Sequence, residues 1–159
     1  MPSLALVLGE VTVRVSDVGR RWESPGGPYR DWLDCDTQME AGTFRARVLW
    51  SVMPGELLRL ADELERLYDS FPERGAVEFA PTEPNLTLSF HVDPRGTVIG
   101  NGELRDFYAG NRLRCEFGME QIVIPALVRD IRTFATRSVP SSSQTDQADV
   151  MNLAQHEGE

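Results

Sequence analysis

Residues 43–72 read TFRARVLWSVMPGELLRLADELERLYDSFP, and two periodicities in this stretch decide the fold class. From Thr43 to Val52 every second side chain is apolar. Phe44, Ala46, Val48, Trp50 and Val52 share one face, and Arg45, Arg47 and Ser51 take the other. A period of two with one dry and one wet face predicts a strand of an antiparallel sheet. At Pro54-Gly55-Glu56 the period changes. Leu57, Leu60, Ala61, Leu64, Leu67, Tyr68 and Phe71 follow helical spacing, with Asp62, Glu63, Glu65, Arg66 and Asp69 opposite, until Pro72 ends the helix.

Toward the N-terminus, Val11, Val13 and Val15 alternate with Thr12, Arg14 and Ser16, a strand expected to continue the Leu4–Leu8 run across Gly9 as a bulge. Trp22–Pro28 is a Pro/Gly loop. Tyr29–Met39 reads as the next strand, with Tyr29, Asp31, Leu33 and Cys35 against Arg30, Trp32 and Asp34. Toward the C-terminus, Ala76–Ala80 is a short strand, and Leu86, Leu88, Phe90 and Val92 alternate in another. Asp93-Pro94-Arg95-Gly96 turns that strand into 97–107. A second hairpin turns at Ala109-Gly110-Asn111 and returns through Leu113, Cys115, Phe117 and Met119. Gly100 and Gly102 mark a bulge or a place where another element comes close. A last helix begins at about Gln121 or Pro125 and runs to Thr136.

No internal repeat is visible. The order predicts an α+β fold: one antiparallel sheet of about six to seven strands, with two amphipathic helices packed on one face. Residues 1–138 are expected to form a single domain. Residues 139–159, rich in Ser, Gln and Asp, hold four acids and no arginine, and are expected to be a disordered acidic tail.

Of the 159 residues 41% are hydrophobic and 26% charged, the balance of a globular protein. Twenty-five acids against 16 basic residues give −9, which argues against nucleic acid as a partner. All the basic residues are arginine, a bias of high-GC, actinobacterial-type composition. No run approaches the roughly 18–20 apolar residues of a membrane span, and the start lacks a basic leader. The expectation is a cytoplasmic protein without a membrane partner. Cys35 and Cys115 lie far apart, and His91 and His156 lack ligand spacing, so no metal or cofactor is implied.

The densest acidic patch is Asp34-Cys35-Asp36, with Asp31 and Glu40 nearby. Strand geometry puts Asp34 and Asp36 on one face with Cβ atoms about 7 Å apart. Such a pair can work as acid and base, hold a cation, attract a basic protein or simply face solvent. Ser89, His91 and Asp93 share one strand face and point in parallel, so they do not converge as a triad does. Aspartates around Cys35 disfavour a thiolate, and Cys115 falls in an apolar register. Arg105, Arg112 and Arg114 line an outer strip of the last hairpin, with Glu103 and Glu116 among them.

The stretch Leu104–Phe117, strand, short Gly-Asn turn and strand before a Pro-started helix, resembles the WapI-type bacterial immunity-protein-like family. Thr43–Phe71 fits the same pattern, and the resemblance covers most of residues 10–136. The Pro/Gly loop at 24–28 and the C-terminal tail lie outside it. It implies binding and neutralising a secreted toxin domain, and it brings no catalytic residues.

The primary functional reading is therefore a non-enzymatic protein-binding domain, immunity-like. Tyr29, Asp31, Trp32, Asp34 and Asp36 form the candidate interface for a basic toxin domain. The alternative is a small hydrolase or small-molecule module with a site between sheet and helices, gathering groups such as Asp34, His91 and Arg105. A homodimer through an exposed sheet edge is a third reading.

Overall fold

The computed structural model describes residues 2–21, 27, 30–71, 73 and 75–137. The chain runs β1 (Ser3–Leu8), β2 (Val11–Arg21), β3 (Trp32–Ala41), β4 (Phe44–Val52) and α1 (Pro54–Asp69). It continues with β5 (Ala76–Phe79), β6 (Leu86–Val92), β7 (Thr97–Arg105), β8 (Arg112–Glu120), a 3₁₀ turn (Gln121–Val123) and α2 (Ile124–Arg137). Strands β1–β4 form one antiparallel meander and β5–β8 a second, each followed by a helix. The repeat absent from the sequence is thus present in the topology.

The α+β class holds, but the expected single sheet of six to seven strands is two sheets of four. One cause is local. Gly9 takes φ +61, and Leu8 pairs with Val11, so the chain folds back in a two-residue turn where a bulge was expected. Gly42, also at φ +61, does the same between Ala41 and Phe44. The other cause is coverage. Eight strands side by side would span about 38 Å, and two helices cover only about 20 Å of it. Two four-stranded sheets can instead cover each other.

The inner faces meet in one core that includes residues of both sheets and both helices. There β7 supplies space in place of side chains. A Cβ on Gly100 would sit 1.9 Å from the Ser89 carbonyl oxygen and 2.6 Å from Phe117 Cζ. One on Gly102 would lie 3.4 Å from Met39 Sδ, across from β3. Pairing runs unbroken through both glycines, so they mark close approach and no bulge. Phe90 meets Phe117 edge-on, with ring centroids 5.5 Å apart.

Each helix crosses to the other repeat. The first, α1, packs on α2 and β5, while α2 packs on α1 and β1, which replaces the expected arrangement of both helices on one sheet face. Pro54 opens α1, and Glu56 Oε2 accepts the Met53 N–H at 3.1 Å. Arg132 of α2 joins Asp62 and Glu65 of α1 across the exposed side of the helix pair.

One strand departs from its expected burial. Trp50 and Val52 are buried, Ala46 and Val48 half-buried, and Phe44 is 68% exposed. Burial thus decays toward Gly42, and the tip of the β3–β4 hairpin lies beyond the core. The strand expected over 97–107 stops at Arg105, because Asp106 opens a turn: its Oδ1 accepts the Tyr108 and Ala109 N–H groups. No helix among the described residues is long and apolar enough to cross a membrane. The expected tail, the Trp22–Gly26 part of the loop, and Tyr29 lie outside the described residues.

Candidate functional site

On the outer side of the first sheet, at the end nearest α1, the chain forms an open groove of about 750 Å³. Its walls come from Val18 of β2, Asp34 of β3, Leu49–Ser51 of β4, the β5–β6 loop (Thr82–Asn85), and Phe107 and Tyr108 of the β7–β8 turn. Each wall has a local cause. In β2 the pairing with β3 slips between Asp17 and Gly19, and Asp17 Oδ1 accepts the Gly19 N–H at 3.0 Å. Val18 is the extra residue of that bulge and stands 46% exposed in the groove. The Asp106 turn leaves Phe107 half-exposed and Tyr108 fully so. The guanidinium carbon of Arg105 lies 4.6 Å from the Phe107 ring centroid, a stacking contact for that ring.

The loop wall is tied at three points. Thr82 donates its N–H and its hydroxyl to Glu56 Oε1, at 2.8 and 2.7 Å. Glu83 Oε2 accepts the Ser51 N–H at 3.0 Å. Asn85 exchanges hydrogen bonds with Arg105, accepting its N–H and donating to its carbonyl. A wall held this way loses little freedom when something binds against it.

Below these walls, Ser51 donates its hydroxyl to Asp34 Oδ1 at 2.6 Å. Asp36 lies on the same face as Asp34, as the spacing predicts, and accepts a forked pair of hydrogen bonds from Arg47, one at 2.8 Å from Nε. That bond holds the Asp36 carboxyl below its ordinary range. Glu40 faces Arg45 at 3.7 Å on the same surface. Trp32 shares this outer register and is half-buried.

Asp31 does not join them. It falls on the inner register, is 4% exposed, and takes the Gly27 N–H on Oδ2. Among the expected interface residues the structure therefore groups Trp32, Asp34 and Asp36, and separates Asp31. Sequence reasoning missed Val18, Leu49, Glu83, Phe107 and Tyr108. Asp-x-Gly at 17–19 and Asp106 before its turn were the available signals, both being side-chain-capped irregularities.

The Cys35 thiol at the groove is not activated. Burial, with Asp17 and Asp34 close by, pushes the Cys35 thiol up to about 12, and its Sγ lies 3.6 Å from the Leu33 carbonyl oxygen. His91 stands exposed on the second sheet, opposite Ile99 and Ala76, and Asp93 accepts the Arg95 and Thr97 N–H groups of its own turn. Asp34, His91 and Arg105 are thus not gathered between sheet and helices. Among the described residues no group of three or more His, Cys, Asp or Glu could hold a metal ion. The groove sets carboxylates already engaged in hydrogen bonds inside a ring of apolar side chains.

Solved structures of low identity align with much of the chain. They include WHY1 from Arabidopsis thaliana, 12% identical with a TM-score of 0.40, covering 99% of this chain and 93% of that one. WHY3 from the same plant is 12% identical at a TM-score of 0.43, covering 96% and 97%. The plant transcriptional regulator PBF-2 is 9% identical at 0.42, covering 86% and 90%. No curated protein sequence matches significantly. A family model does match, that of the Immunity protein WapI-like family, over residues 9–137, which takes in β2–β8 and both helices but not β1. On that match the chain belongs to the WapI-like immunity protein family.

Proposed function

We propose that this protein neutralises a toxin domain by binding it through the groove and the adjoining Asp34–Asp36 face. The observation that carries the reading is the convergence of Val18, Leu49, Phe107 and Tyr108, all exposed, around Asp34 and Glu83. Exposed apolar groups around a charged floor fit a partner that inserts a basic side chain and covers the rim. Trp32 lies on the same face for a flanking contact. The net charge of −9 favours a basic partner, since complementary fields mainly speed encounter.

The test is capture from the source cells at low and high salt, with the double variant Asp34→Asn, Asp36→Asn beside the unaltered chain. A basic protein held at low salt is expected, one that arrests growth when expressed alone and does not when co-expressed. The double variant should associate about tenfold more slowly at low ionic strength. Equal association rates for both chains would remove this face from the interface.

A further inference from the structure

We propose that the outer edge of β4 accepts an extended segment of the partner as a ninth strand. The proposal deepens the reading above and rests on it for the partner's identity. It stands on the direction of the β4 backbone groups. Ala41 and Phe44 flank a two-residue turn, so they form a hydrogen-bonded pair, and Phe44, Ala46, Val48, Trp50 and Val52 direct their N–H and C=O groups to β3. Arg45, Arg47, Leu49 and Ser51 direct theirs away. The Ser51 N–H confirms this parity independently, because it donates sideways to Glu83.

The sheet order places β4 at the end of its sheet, with no strand beyond it among the described residues. Of the other edge strands, β1 has α2 packed on it, β5 has α1, and β8 meets β1, β2 and β4; β4 itself meets β7 and β8 of the second sheet beside its own sheet partner, in the contacts that bring the two sheets together. Glu83 closes the β4 edge at Ser51. Among the described residues, Arg45, Arg47 and Leu49 are left as a row of outward donors and acceptors, beside Phe44 at 68% and Leu49 at 69% exposure. The same strand forms a wall of the groove through Leu49–Ser51, so an added strand would run directly into it.

Charge selects the occupant. In antiparallel self-pairing the outward residues of one copy must face those of the other. Pairing centred on Ala46 sets Arg45 against Arg47, and pairing centred on Arg47 sets it against itself. A register shifted further, which would bring Arg45 to Ser51, collides with the Glu83 closure. A second copy is therefore the wrong occupant. A segment alternating apolar and acidic residues fits: its acids would face Arg45 and Arg47 and continue the ladder that Glu40 and Asp36 begin on the other side. Its apolar residues would cover Phe44, Ala46 and Val48.

The test is amide hydrogen exchange on the full chain with a synthetic seven-residue peptide alternating valine and glutamate, its termini blocked, at about 1 mM. Exchange at Arg45, Arg47 and Leu49 should slow about fivefold or more, with Ser51 unchanged, and the valine–arginine peptide should give no such slowing. Arg47→Pro and Arg47→Ala both remove the guanidinium that bonds Asp36, but only the proline also removes an outward N–H, a change an edge strand tolerates; Arg47→Pro should abolish the protection, whereas Arg47→Ala should weaken it and leave the part that the backbone ladder and Arg45 supply. No slowing with the glutamate peptide, or equal slowing with the arginine one, overturns the proposal. So does protection without peptide that rises with protein concentration, the mark of a second copy. In the capture experiment, retention of the toxin by Arg47→Pro at the level of Arg47→Ala refutes the added strand and leaves the toxin reading standing. Peptide protection with no toxin captured does the reverse.

Discussion

The two meanders share strand order and direction and end in helices of 16 and 14 residues, yet their third strands are opposites. Inward from β3 come Leu33, Cys35, Thr37 and Met39; inward from β7 come Val98, Gly100, Gly102 and Leu104. One strand supplies volume where the other withholds it, and Met39 lies over Gly102. Their fourth strands differ in another way. Cys115, Phe117 and Met119 of β8 are all buried, while the corresponding face of β4 opens toward Phe44. The second meander completes the core, and the first extends past it and carries the groove and the open edge. Identical topology therefore leaves the division of labour to side-chain volume.

The most damaging way to break this complementarity is Gly100→Ala. The new methyl would meet the backbone oxygen of Ser89 and the Phe117 ring, neither of which can give without moving β6 or the Phe90–Phe117 pair. A loss of about 3 kcal/mol or more is expected by thermal or urea unfolding. Gly102→Ala meets Leu88 Cδ2 at 3.2 Å and Met39 Sδ at 3.4 Å, both on flexible side chains, with the Thr87 carbonyl oxygen at an ordinary 4.0 Å. Its cost should stay below about 1 kcal/mol. Equal losses at the two positions would show that the contacts each new methyl meets do not set the cost.

The first meander has its own fixed point. Trp50 donates its indole N–H to Thr37 Oγ1 at 2.7 Å, with both residues buried. Thr37→Val keeps the shape and strands that donor, so about 1–3 kcal/mol should be lost. Trp50 also lines the groove, and its fluorescence should report the change. Thr37→Ser, which retains the acceptor, should recover part of the loss. If valine is tolerated without cost, the wide end of the first meander is held by packing alone.

How much of this was legible follows from the range of the interactions involved. Alternation is local, so most strands, both helices and the shared face of Asp34 and Asp36 were readable, while at Gly100 and Gly102 the sequence left bulge and close approach as alternatives. Sheet membership is not local. Nothing in Leu86–Val92 states whether it pairs with β5 and β7 or with the strands before α1. The turn at Gly9 turned on one φ angle that a bulge could equally have used. Phe44 sat in perfect apolar register and still came out exposed, because burial depends on what lies opposite as well as on the strand's own pattern. The groove was illegible for the same reason: its walls come from β2, β3, β4 and two loops, brought together only by the fold. Asp31 looked like a neighbour of Asp34 in sequence, but odd spacing along a strand sends it to the other face.

The smallest effect concerns Asp36, and it separates the charge of the face adjoining the groove from the fold's stability. The Arg47 hydrogen bond lowers the folded-state pKa of Asp36 below its unfolded value. Its contribution to stability is therefore present above the ordinary carboxylate range, near about pH 4, and is lost as pH falls through the lowered folded value. Arg47 is largely exposed, so solvent and salt screen the pair, and the effect is a small one. Comparing the melting temperature of Asp36→Asn with that of the unaltered chain from pH 7 to pH 2 should give a small deficit at neutral pH. It should close in acid, and shrink at every pH in high salt. A deficit that persists in acid would assign Asp36 a packing role, for which charge is irrelevant. No deficit at neutral pH combined with slowed toxin association would instead mark the Asp36–Arg47 pair as belonging to recognition, on the outer face of β3 and β4, away from the core side chains.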